Sequence, residues 1–184
     1  SYSAAKKDYN RGNEFFNVSL SYALLVGVII SIIGIFFSRN IAGILGANEE
    51  SIEMTNIYIK TVLTFTPFFL ISNNLVTFVR YDNNPNLAMA AMLVSSFFNM
   101  TADYIFMEFL NLSVFGAALA TGLSPIVSLA IVSKHFIKKE GMLEFQGFSF
   151  KVKDFLKIAR LGVSTSVYEM SQGLVTMAFN YLIL

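Results

Sequence analysis

A carboxylate inside an otherwise uncharged stretch is the group in this chain best equipped to do chemistry. Asp103 follows twenty residues, 83–102, that carry no charge. An ionisable group within so apolar a run is costly, so it normally faces a cavity or a partner and marks a pathway. Asn99 precedes it by four residues and on a helix shares its face. The Asn99 amide can hydrogen-bond the carboxylate and help to hold a proton or a cation. Asp103 lies nine residues before Leu112 and Thr121 nine after it. In a tight antiparallel hairpin turning there, both stand at one depth, roughly 10–13 Å from the turn at about 1.5 Å per residue. Asn99, Asp103 and Thr121 therefore form one candidate polar cluster. The plainer reading puts Asp103 at the edge of the apolar layer beside Glu108, with no special task.

Other polar residues are weaker candidates. Glu169 interrupts the uncharged run 161–184. It either attracts a cationic substrate or coupling ion, or is balanced by a partner outside this sequence. The pair Asn73-Asn74 sits in a third apolar run, where amides more often join helices than bind ligands, although one of them suits a cavity wall. His135 follows Lys134 and reads as an interfacial residue. Gly122-Leu123-Ser124 would give a membrane protease its serine, but His135 is eleven residues on and nothing brings it near. With no cysteine and a single histidine there is little to hold a transition metal, and no thiolate zinc site or disulfide. No G-x-x-x-x-G-K-[ST] loop is present to bind ATP. The residues thus predict no enzyme and no organic cofactor.

The elements that must position these groups follow from composition. Hydrophobic residues make up 55% of the 184 and charged residues 14%, against roughly 25% in an average soluble domain. Mean hydropathy is +0.61. The thirteen basic and twelve acidic residues nearly cancel, which argues against a nucleic-acid partner. A helix crossing a bilayer needs about 20 apolar residues. The gaps between charges predict an all-α membrane protein, a polytopic bundle with five spans near 15–37, 57–79, 86–109, 113–134 and 161–184. Alternating sides places eleven basic residues on one face and only Arg39 and Lys60 on the other. The basic face is then cytoplasmic, with the N-terminal residues of this segment inside. The chain lacks an initiating Met and ends in an apolar run, so a piece of a longer multi-pass protein is expected.

Local signals refine the spans. Gly27, Ser31 and Gly34 suit close helix contact in the first. Asn48-Glu49-Glu50-Ser51 reads as a helix start capped by Asn48. Pro67 predicts a kink in the second span, and Pro125 a bending point in the fourth. Asp82-Asn83-Asn84-Pro85 is a turn with Pro85 in the first turn of the third span. Gly116, Ala118, Ala120 and Gly122 make a small-residue face. In the connection 135–160, Val152, Phe155, Leu156 and Ala159 share one face, which predicts an interfacial amphipathic helix.

The order of motifs resembles the multidrug and toxic-compound extrusion (MATE) transporters. It is carried by Val79-Arg80-Tyr81-Asp82-Asn83-Asn84-Pro85-Asn86, then Asn99-Met100-Thr101-Ala102-Asp103, then Gly116-Ala117-Ala118-Leu119-Ala120-Thr121. Asn83 stands where that family commonly has Gly. Gly46-Ala47-Asn48-Glu49-Glu50 and Arg160-Leu161-Gly162 also look like family landmarks, with Ser164 where Pro is common. Glu169-Met170-Ser171-Gln172-Gly173 is similar to the MepA-like branch.

The resemblance implies twelve helices in two six-helix lobes. Residues 1–134 would then be helices three to six of the first lobe, 135–160 the cytoplasmic connection between lobes, and 161–184 the first helix of the second lobe. It implies export of organic cations and drugs from the cell by antiport of protons or sodium, with the coupling ion at Asp103, Asn99 and Thr121. Glu169 falls about one turn from an acid used in some members. The partners would be the bilayer, the drug and the remaining helices. Two competing readings are a flippase for lipid-linked saccharides and a structural membrane subunit. The first would want basic residues within the spans, and these have none.

Overall fold

The computed structural model describes residues 2–138 and 141–183, and among them every regular element is helical. The elements are α1 (Tyr2–Ile44), α2 (Ile52–Thr64), α3 (Thr66–Tyr81), α4 (Pro85–Tyr104), a π-helical turn (Ile105–Phe109), α5 (Ser113–Ile137) and α6 (Val152–Ile183). Helix α1 passes from the polar N-terminal residues into its apolar run without a break, so the apolar stretch sets where a membrane would lie rather than where the helix starts. Residues Asn10–Ile44 and Ser113–Ile137 are each long and apolar enough to cross a membrane, with mean hydropathy 2.6 and 1.9 over their most apolar 18 residues. Helices α2 and α3 pass together as one broken span bent by 48°. Helix α4, which carries Asn86, Asn99, Thr101 and Asp103, and helix α6, which begins with a basic turn, do not reach that standard on their own sequence.

The break falls at Phe65, two residues before Pro67. Pro67 has no N–H to give the carbonyl four residues back, and it occupies the first turn of α3, where that donor is not needed. Thr66 Oγ1 donates instead to the Leu63 carbonyl at 2.8 Å. Helix α1 lies close along the broken span through the predicted small residues. Ser31 Oγ donates to the Thr64 carbonyl at 3.2 Å, and Ser38 Oγ to Asn56 Oδ1 at 2.6 Å. A Cβ on Gly27 would stand 2.6 Å from Pro67 Cα, a backbone atom that cannot swing aside. Gly27→Leu is therefore expected to destabilise the protein by about 1–3 kcal/mol, the usual cost of overpacking. Thermal unfolding in detergent measures this, with Gly43→Ala, which has open space, as the control.

Helix α5 packs on α2, α3 and α4. Its buried face is Gly116, Ala118, Ala120, Gly122, Pro125, Ser128 and Val132, so the small-residue stripe is a packing face. The apolar core collects at one end of the bundle. There Phe16 of α1 meets Phe78 edge-on at 5.0 Å and Phe136 in a stack at 5.2 Å, above Leu75, Val79, Ala88 and Val132. Large side chains elsewhere point outward, among them Ile32, Phe36, Leu93, Phe97 and Met100. An outward apolar belt over an interior of small residues is what a lipid-facing bundle requires.

Two local expectations change. The start after the first outer turn is Ile52, not Asn48. Asn48 and Ser51 instead bond each other: Asn48 Oδ1 accepts from the Ser51 N–H at 2.9 Å, and Ser51 Oγ accepts from the Asn48 N–H at 3.1 Å. The reciprocal pair closes a turn over Glu49 and Glu50, and only Glu53 reaches the first turn of α2. The amphipathic stretch after residue 150 is not a separate helix, since it runs into the following apolar residues as α6. Its Phe155 stacks on Tyr22 of α1 at 4.0 Å, so part of the predicted interfacial face meets protein.

Candidate functional site

Asp103 sits one residue before the end of α4, directly ahead of the π-helical turn. That turn carries Leu110 N–H to the Ile105 carbonyl at 3.1 Å, one residue wider than an α turn. Such widenings recur at functional sites because they re-aim neighbouring side chains. Asp103 is half-buried, and its Oδ1 is buried without a hydrogen-bond partner among the described residues. A buried carboxylate oxygen left unpaired is expensive unless a proton, cation or water meets it. Asn99 and Thr121 are also half-buried, on α4 and α5. No side-chain hydrogen bond joins Asn99, Asp103 and Thr121 to one another among the described residues. The helices that carry them are held together lower down by Ser95 Oγ, which donates to the Ser124 carbonyl at 2.7 Å. Pro125 adds a chemical feature, because it removes the donor that would normally bond the Thr121 carbonyl four residues earlier. Thr121 thus offers a backbone oxygen as well as its hydroxyl.

The other candidates separate. Asn74 Nδ2 donates to Ser19 Oγ at 2.7 Å and joins α3 to α1, while its Oδ1 is buried and unpaired among the described residues. Asn73 is exposed and lines a groove of about 340 Å³ between α3, α4 and α5, with Thr77, Arg80, Ser96 and Ser128. Glu169 is exposed on α6, which packs only on α1 among the described elements. Ser124 Oγ donates to the Ala120 carbonyl at 2.8 Å, and His135 is engaged elsewhere, so no serine–histidine pair forms between them.

The most developed polar network lies at the end of the bundle that holds the basic residues, and the sequence reading missed it. Asp82 and His135 are both buried. Asp82 Oδ2 lies 3.0 Å from His135 Nε2 and accepts the Leu143 N–H at 3.1 Å; Oδ1 accepts the Met142 N–H at 2.8 Å. Asn84 Oδ1 caps α4 by accepting the Leu87 N–H, which turns its amide nitrogen toward His135 Nδ1 at 3.4 Å. With a donor facing Nδ1, the ring proton belongs on Nε2, pointing at Asp82. Asn83 makes this turn possible in the left-handed region, at φ 62°, where Asn is tolerated almost as Gly is. Gly141 lies against the pair so closely that a Cβ there would collide with the Asp82 carboxylate and the His135 ring.

From Leu143 to Lys151 the backbone forms no regular element, and its N–H groups follow α1. The Glu144 N–H donates to Asn13 Oδ1 at 2.9 Å, the Gln146 N–H to Asn17 Oδ1 at 3.0 Å and the Ser149 N–H to Ser21 Oγ at 2.8 Å. Asn17 Nδ2 also donates to the Glu144 carbonyl at 3.2 Å. Lys151 then pairs with Glu14, and Lys157 with Asp154 at 2.9 Å. The hydrogen bond and charge of Glu14 hold Lys151 above its ordinary lysine pKa. The hydrogen bond from Lys157, ahead of the nearby positive charges, holds Asp154 below the usual carboxylate range. The signal that was available is the spacing of Asn13, Asn17 and Ser21, three buried polar residues at four-residue intervals on one helix face.

Apolar helices folded back on one another, an outward oily belt and an unpaired acid near one end define a helical membrane-protein bundle. The MatE family model matches residues 1–105, and the chain belongs to that family. The multidrug export protein MepA of Staphylococcus saprophyticus is 28% identical over 176 residues, which cover 95% of this chain and 39% of that protein. Solved structures agree. An outward-facing conformation of a multidrug resistance MATE family transporter of the MOP superfamily superimposes with a TM-score of 0.82 at 26% identity, over 91% of this chain and 38% of the other. An inward-facing conformation gives 0.77 at 27% identity, over 87% and 37%. The chain therefore spans about 39% of the length of the curated relatives it matches. Their names are those of transport proteins and not of enzymes, in keeping with the reading of the residues.

Proposed function

We propose that the protein to which this chain belongs is a secondary exporter that expels organic cations and drugs across the cell membrane in exchange for protons or sodium. Residues 1–134 form part of its first lobe, 135–160 the cytoplasmic connection and 161–184 the opening helix of the second. The observation that carries this reading is the Asp103 carboxylate, half-buried with one oxygen unpaired at the widened end of α4. Its coupling role comes from its charge. With a proton or cation bound, the site between α4 and α5 loses a negative charge; without one, the carboxylate attracts a cationic substrate. Asn99 lies on the same helix face, within reach of an ion held by the carboxylate, and the hydroxyl and freed carbonyl of Thr121 are further oxygen ligands for it. The 48° break at Phe65 and the Pro125 site are places where helices yield as the lobes change orientation. Phe and Met side chains, nineteen and eight in number, suit a substrate range set by apolar contact. Glu169 and Asn73 are second-rank candidates for the substrate path, since each is exposed on its helix.

The experiment is export of a fluorescent cationic dye by cells that carry the intact gene. Export that stops when the proton and sodium gradients are both collapsed supports the reading. Export that survives that collapse but stops on ATP depletion overturns it, as does a full-length protein that exports no cationic dye or drug.

A further inference from the structure

The connection between α5 and α6 has the sequence of an ordinary basic loop, but its geometry is that of a fitted part. Five of its backbone N–H groups, from Met142, Leu143, Glu144, Gln146 and Ser149, are accepted by side chains of α1 and of the α3–α4 turn. The fit is metric. Four residues of α1 rise about 6 Å, and two residues of extended chain advance about 6.6 Å. Asn13 to Asn17 therefore keeps step with Glu144 to Gln146. The next step, Asn17 to Ser21, is matched by three residues, Gln146 to Ser149. The extra residue is absorbed at Gly147, whose φ of +114° is open to glycine and strained for other residues. Tyr22 then receives Phe150 edge-on at 5.7 Å and Phe155 in a stack, and Glu14 receives Lys151. Only Phe150 and Lys151 separate the last backbone bond from the start of α6.

We propose that residues 142–149 are a strap that locks the first turns of α6 onto α1, with Asp82, held by His135, as its positioning residue. On the two-lobe reading above, on which its transport consequence rests, the connection between lobes moves as part of the first lobe. The relative motion of the lobes then occurs beyond Arg160, not in the connection. Asp82 touches neither drug nor coupling ion; it acts through the strap.

The test uses the full-length parent. Backbone hydrogen exchange reads the strap, and spin labels on the exposed positions Arg11→Cys and Lys153→Cys read the distance from α1 to α6. In the unaltered protein the five bonded amides are expected to exchange at least about a hundredfold more slowly than in an unstructured chain. Asp82→Asn is expected to speed exchange at Met142 and Leu143 at least about tenfold and to broaden the label distance. Maximal dye export should fall several-fold, with the half-saturating dye concentration unchanged. Asn17→Ala leaves Asp82 and His135 intact and should speed exchange at Gln146, whose acceptor it removes, and not at Met142 and Leu143; it decides the matter if Asp82→Asn does not fold. Fast exchange throughout 142–149 in the unaltered protein, or no change in either variant, overturns the strap. Released amides with undiminished maximal export overturn the positioning role. A parent that exports no dye counts against the exporter reading alone, and the exchange and distance data still decide the strap.

Discussion

Asp103→Asn in the intact parent is expected to lower gradient-driven dye export at least about tenfold, which corresponds to about 1.4 kcal/mol of lost coupling. The substitution keeps the shape of the side chain and removes its charge. A cation about 4 Å from a carboxylate gains about 4 kcal/mol at an effective dielectric constant of 20, so a tenfold loss is a conservative expectation. Asn also retains a hydrogen-bond acceptor, so the helix itself should be little disturbed. Initial rates of dye movement in proteoliposomes under an imposed proton or sodium gradient measure the effect. Glu108→Gln is the control, because Glu108 is exposed in the π-helical turn and lacks the buried, unpaired oxygen. It should change the rate by less than about twofold. Equal losses from both substitutions would mean that charge near this end of the bundle matters and the particular site does not.

The largest effect on stability is expected at the opposite end. Asp82→Ala takes the acceptor from the Met142 and Leu143 N–H groups and from His135 Nε2, all within a buried network. A buried donor left without its acceptor costs about 1–3 kcal/mol, so orphaning these donors together is expected to cost about 3–5 kcal/mol. Chemical unfolding in detergent should show that loss as an earlier midpoint. An exposed ion pair gives the contrast. Arg39 and Glu53 lie 3.0 Å apart with both side chains more than 60% exposed, and Glu53→Ala should cost less than about 1 kcal/mol. Gly141→Ala belongs with Asp82, since the added methyl would displace the same pair.

These two sites differ in how far the sequence disclosed them. Asp103 stands out in the sequence because a lone charge in an apolar run is a local anomaly, and helical spacing offers Asn99 and Thr121 as its neighbours, although no side-chain hydrogen bond joins the three among the described residues. The turn Asp82-Asn83-Asn84-Pro85 and the close packing at Gly27 and Gly34 were legible for the same reason. The role of Asp82 was not, because its partners are 53, 60 and 61 residues away in sequence, and no periodicity within one element reports them. Charge gaps also measure the thickness of an apolar layer and not the length of a helix. They gave the apolar part of α1 but not its polar beginning, and they split α6 at its basic turn although the backbone hydrogen bonds run on. Pro67 signalled a bend, whereas the break at Phe65 also rests on Gly122 of α5, whose missing side chain leaves room for that ring.

Water or ion access to Asp103 is what the proposed mechanism most needs, and labelling measures it directly. These 184 residues contain no cysteine, so Asp103→Cys in an otherwise cysteine-free parent provides a single thiol. A membrane-impermeant cationic thiol reagent should modify it from an aqueous phase, and saturating drug should slow that reaction. A thiol that reacts with a lipid-soluble maleimide and with no impermeant reagent from either side would place residue 103 against acyl chains and contradict the account.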